Sequence, residues 1–223
     1  MKWLLWKDYR QNRLVVFAGL FFLLAPYAIG LWDGRAMIYE RARAPEGRLI
    51  EIFAIASVWS LAISQVTFAL IGGNAIAGER VDRSAEFLYA MPITRRKLLA
   101  SKIVVALAIA AVPWLIDAPV FWYLANVGAL ARGRLEVGEI FAVIATTGLI
   151  FFSVAWVFSS FIASPTLAVC GGLVTPLIPI VPEQLGLPVP FPATRLWYCT
   201  ICLTLALVCF GVGTWHYLRR VEP

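Results

Sequence analysis

Six apolar stretches, each close to the ~20 residues an α-helix needs to cross a hydrocarbon core, take up most of this 223-residue chain. They lie at about 14–32, 52–77, 103–130, 140–162, 167–181 and 196–217. Lipid offers no hydrogen bonds to a peptide group, so such stretches must satisfy their backbone internally, as helices. Hydrophobic residues make up 61% of the chain and charged residues 14%, against roughly 45–50% and 25% in soluble domains. The excess comes in blocks rather than along one face, which argues for spans and against a large soluble core. The expected fold is an all-α membrane protein of six transmembrane helices in one domain, residues 1–223, with no soluble module of useful size left over. The fifth stretch departs from the pattern: Gly171, Gly172, Pro176, Pro179 and Pro182 predict a kinked, broken or partly re-entrant segment.

Charge sets the orientation. With the N-terminus inside, the inner segments hold twelve Lys and Arg residues and the outer ones seven, a bias that places both termini in the cytoplasm. The same rule, with contact to anionic lipid, accounts for the pI near 9.4 without invoking nucleic acid. Trp3, Trp6 and Tyr9 alternate with Lys and Arg in residues 1–13, a mixture suited to the headgroup layer, so this segment is expected to form an interfacial helix. It resembles the start of a signal peptide, but no small-residue cleavage site follows, and a retained signal anchor fits better. All four cysteines fall in apolar stretches. Cys199 and Cys202 form a C-x-x-C that reads as a pair of small apolar helix residues rather than a redox or metal motif.

Between the second and third stretches lies a charged island, residues 79–102, with six of the nineteen basic residues and three of the thirteen acids. Asp82 or Ser84 can cap a short helix, with Glu86 in its first turn, where the helix dipole favours an acid. Phe87, Leu88 and Met91 then share one side at helical spacing. Pro92 ends that helix, and Thr94 is placed to cap a second one running into the third span. Arg95, Arg96 and Lys97 open this second helix, where cations are disfavoured by up to roughly 1 kcal/mol each. Such a local violation points to a functional contact, with anionic lipid or an acidic protein surface; plain positive-inside charge is the alternative.

The island is similar to the loop after the second span of ABC type-2 transporter permeases. The resemblance rests on Gly78-Glu79-Arg80, Ser84-Ala85-Glu86-Phe87-Leu88, Met91-Pro92-Ile93-Thr94-Arg95 and Lys97-Leu98-Leu99-Ala100-Ser101-Lys102. Arg83 stands where that family often has glycine, and Met91 where leucine is usual. The six-span plan and the interfacial N-terminus extend the likeness over the whole chain. It implies the permease subunit of an ATP-driven transporter, an exporter, paired as a homo- or heterodimer in the bacterial cytoplasmic membrane. A separate ATP-binding subunit would hold ATP and Mg, so this chain would carry no cofactor of its own. Residues 79–102 would be the coupling segment, with Glu79, Arg83, Glu86, Phe87, Leu88, Met91, Pro92, Thr94, Arg95, Arg96 and Lys97 at the ATPase interface.

Other polar residues bear on catalysis and transport. Gly73 and Gly78 have the spacing of a phosphate-binding loop, but Glu79-Arg80 follows where Lys-Ser/Thr is needed, so this chain is not expected to hydrolyse ATP. Asp117 is the acid deep in a span, between Pro113 and Pro119. Its insertion costs roughly 2.5–3.5 kcal/mol, so it should face the bundle or a water-filled path. It is a candidate for substrate, proton or cation contact, or for pinning helices, with Gln65 and Asn74 as weaker path or packing candidates. Use of Asp117 would also suit an ion-coupled secondary transporter. An integral-membrane enzyme is disfavoured, because His216 is the chain's one histidine and no hydrolase motif accompanies it. The proline-rich segment 183–195 should be extended or turn-like.

Overall fold

The computed structural model describes residues 2–40, 45–81, 93–126, 137–174 and 195–219, with side chains at 2–32, 49–81, 93–124, 138–174 and 198–219. The described residues are helical apart from 93–94 and 162–164. In chain order the helices are α1 (Lys2–Glu40), α2 (Pro45–Val81), α3 (Arg95–Asn126), α4 (Val137–Phe161), α5 (Pro165–Val174) and α6 (Arg195–Arg219). All but α5 are long and apolar enough to cross a membrane. Each begins before the apolar stretch that predicts it, because a hydrophobic boundary does not set where a helix starts; capping and backbone chemistry do.

That distinction explains α1. The helix runs without a break through Arg13, so the expected interfacial segment forms the first turns of the same helix as the first span. Residues 2–18 contain neither glycine nor proline to interrupt it. Trp3, Trp6 and Tyr9 are exposed on its surface. Pro26, Pro113 and Pro119 are likewise carried inside continuous helices. Helix α5 starts as expected of Ser-Pro: Pro165 occupies the first helical position, and the Ser164 hydroxyl accepts the Leu167 amide at 3.4 Å. The predicted remainder of the fifth span, 175–181, lies outside the described residues, as do 127–130 and most of the proline-rich outer segment.

Helix α2 is the hub. It packs against α1, α3, α4 and α5, while α6 lies along α4. Close approach is what small residues in α2 permit. A Cβ on Gly72 would stand 2.5 Å from the Phe152 carbonyl of α4, and one on Gly73 would stand 2.8 Å from the Val169 amide of α5. The Ser159 hydroxyl of α4 meets α2 at the same level, accepting the Ile76 and Ala77 amides at 3.0 and 2.8 Å. Beyond this seam, Trp156 is fully buried against Phe152 and Phe210.

The contacts also order the helix ends. Lys7, Glu79 and Lys102 meet, so the starts of α1 and α3 lie with the end of α2. Arg80 reaches the last carbonyls of α4, and Phe161 stacks on His216 at 3.9 Å, bringing the ends of α4 and α6 to the same face. Helix α6 therefore begins at the opposite face, near Thr147 and Tyr198.

A glycine contrast tests this packing. Gly72→Ala is expected to destabilise the protein by about 1–3 kcal/mol, since backbone rather than a flexible side chain blocks the new methyl. Gly211→Ala, with nothing within 4 Å of its Cβ position, should not. Thermal unfolding of both variants in detergent reads the difference directly.

Candidate functional site where three helix ends meet

In the last turn of α2, the Glu79 side chain is 5% exposed and carries a charge that burial makes costly. Two lysines offset it. Lys7 of α1 donates to Glu79 Oε1, and Lys102 Nζ of α3 lies 2.9 Å from the same oxygen. Lys102, 4% exposed, also donates to the Ala75 carbonyl of α2. Beside this bridge, Asp8 accepts the Ser101 hydroxyl and lies 3.7 Å from Lys7. The Asn12 amide nitrogen donates to the Asp8 carbonyl at 2.8 Å, and Asn74 donates to Asn12 Oδ1 at 2.9 Å. Two lysines and two carboxylates thus cancel in charge and join three helices through bonds no single helix could supply.

Arg80, the next residue, turns the other way. Its guanidinium donates to the carbonyls of Ser160 at 2.9 Å, Ile162 at 3.3 Å and Ser159 at 3.4 Å. These are the carbonyls left open at the end of α4, where a cation is favoured. Glu79 and Arg80 together therefore tie the last turn of α2 to α1, α3 and α4.

This arrangement lies at the root of segment 82–92, and all of it but Lys7 and Asp8 falls within the span that a family model covers: the model described as ABC-2 family transporter protein matches residues 10–190. The chain belongs to the ABC-2 transporter family. Neither a curated protein nor a solved structure matches it. As an ABC-2 family member it is a multi-pass membrane subunit of an ABC transport system, a transport component rather than a catalyst.

Of the ABC-2 motif residues expected at an ATPase contact, Arg83, Glu86, Phe87, Leu88, Met91 and Pro92 lie outside the described residues, so the short helix expected there is not described either. Thr94 stands at the cap position, its carbonyl accepting the Lys97 amide at 2.9 Å. Arg95 is half-buried, while Arg96 and Lys97 are exposed. Among the island's basic residues, the buried cluster uses Lys102. Lys7, Asp8, Asn12, Ser101 and Arg80 have site roles that sequence reasoning missed: the charged ones and Ser101 counted only toward charge bias or motif spelling, and Asn12 was not singled out. A usable signal was there: Asp8 and Glu79 are acids placed among bases at span ends, and each needed a partner.

Asn74 belongs to the cluster as a link between α1 and α2. Gln65 does not: it donates to its own helix at the Leu61 carbonyl, 2.6 Å away, and its Oε1 faces Gly148 of α4. Asp117 is 1% exposed and accepts the Tyr27 hydroxyl far from Glu79 along the bundle. Residues 73–78 are helical, so they form no phosphate-binding loop. The four cysteines are free thiols, and His216 packs face to face on Phe161.

The buried charges predict a non-additive pair. Glu79→Gln strands Lys102 beside a lone carbonyl and should cost about 3–5 kcal/mol. Adding Lys102→Met removes the stranded charge, so the double variant should be more stable than Glu79→Gln alone. Denaturation of the set in micelles gives the coupling energy; simple additivity would mean the cluster is solvated.

Proposed function

We propose that this chain is the permease of an ATP-driven exporter, paired with a second copy or a paralogue, each permease docked on a separate ATP-binding subunit that holds ATP and Mg. Residues 79–102 are the coupling segment, and the face carrying Glu79 is cytoplasmic, in the bacterial cytoplasmic membrane. The excess of Lys and Arg at that face supports the orientation. A sixth crossing is supported by the positions of α4 and α6: one ends and the other begins at opposite faces, and α5 starts the return between them.

The observation that carries the reading is the anchoring of Glu79. A segment rooted in one helix would bend that helix when pushed. A root bonded to Lys7 and Lys102, with Arg80 gripping α4, passes the same displacement to α1, α2, α3 and α4 together. Closure of the ATPases beneath Phe87, Leu88 and Met91 would then move a rigid group of spans, with Glu86 and Arg95 setting register through polar contacts.

Cross-linking tests this in the assembled complex. Cysteines placed at Phe87 and Met91, in a background free of other cysteines, should cross-link to the ATP-binding subunit, and failure at both positions rejects the docking. Phe87→Ala combined with Met91→Ala should lower permease-stimulated ATP hydrolysis by at least about tenfold, the effect of losing one apolar anchor, while leaving the permease inserted.

A further inference from the structure

A second polar site lies in the other half of the bundle. Tyr27 of α1 donates its hydroxyl to Asp117 Oδ1 of α3. Ser60 of α2 adjoins them, and its own hydroxyl goes to the Leu23 carbonyl at 2.7 Å. Asp117 Oδ2 is sealed from solvent and has no hydrogen-bond partner among the described residues. Among the described residues, the surroundings supply no countercharge. From α1 the titratable group is Tyr27 itself. On α2 Ser60 adjoins Asp117 and Phe53 packs on Tyr27, and the nearest ionisable residue, Glu51, lies nine residues from Ser60, about 13 Å along the helix. From α4, Ile140, Phe141 and Ile144 pack with Trp114 and Phe121, and Glu139 is exposed one turn outward. Among the described residues no lysine, arginine or histidine pairs with Asp117.

An ionised carboxylate placed here would leave one charged oxygen bare in an apolar interior, far costlier than burying the neutral acid. Any ligand for Oδ2 must require no volume, because the atom is enclosed. We propose that Asp117 is a proton-binding site, holding a proton on Oδ2 while Oδ1 accepts the Tyr27 hydroxyl. Loading forms one O–H bond on the carboxylate as one O–H bond of a hydronium ion breaks and leaves water, with no change in oxidation state. Access follows from the helix chemistry. Pro113 and Pro119 flank Asp117 and lack the amide hydrogens that would stiffen α3 on either side. Parting of α1 from α3 breaks the Tyr27 bond and opens Oδ2 to water, so the proton exchanges when the bundle opens and is trapped when it closes.

Infrared spectroscopy of the full chain in lipid vesicles tests the site without the ATP-binding subunit, so its outcome is separate from that of the coupling experiment. The C=O stretch of a protonated carboxylic acid should be present in the native chain and lost in Asp117→Asn. In Tyr27→Phe the band should persist and shift to higher frequency, because the carbonyl oxygen loses a hydrogen bond. Loss of carboxylate bands alone in Asp117→Asn overturns the proposal. If that variant does not insert, Tyr27→Phe decides: an unshifted band, or none, overturns it equally.

Discussion

Close approach of α2 to its neighbours is the constraint on which this bundle rests. Lipid tails are as apolar as leucine, so helices in a membrane gain little from burying oil against oil; they associate through packing and interhelical hydrogen bonds. Gly72 and Gly73 let α4 and α5 come within backbone distance, and the Ser159 hydroxyl then finds α2 amides within reach. Larger residues there would hold the helices apart, and the buried polar groups would lose the partners that make their burial tolerable.

With α2 so placed, α1 is held to the bundle at two polar levels of opposite character. At the Glu79 face, charges are paired and balanced, and removing one strands another. At Asp117 a single carboxyl meets a phenol, with no countercharge among the described residues. The first suits a joint that transmits displacement while staying intact. The second suits a joint that opens, because one neutral hydrogen bond is worth only about 1 kcal/mol net. On the proposed function, the stiff linkage lies near the drive and the releasable one near the far side.

Much of this could be read in advance, for identifiable reasons. Spans are legible because hydrocarbon imposes a length and an apolar composition that few other structures share. The family was legible in a short charged island, because charge is rare in such a chain and its pattern stands out. Asp117 was legible as a buried polar group for the same reason. Lys7 and Asp8 were not: at a span end they look like any headgroup charges, and nothing local indicates that Lys7 meets Glu79 or that Asp8 meets Ser101. The continuous α1 was also missed, since headgroup-type composition says where a segment prefers to lie and not where its helix stops.

By itself, then, the sequence determined the class of solvent, the helical state of the spans and the presence of a charged island between two of them, because each follows from local composition against a fixed bilayer thickness. Tertiary structure alone decided which charges are spent on one another. Pairing energy depends on distance and on exclusion of water, and both arise only when helices far apart in sequence come together. Glu79 shows the division: its charge and its place at the end of a span are written in the chain, while its two lysine partners, and the anchoring they provide, exist only in the folded bundle.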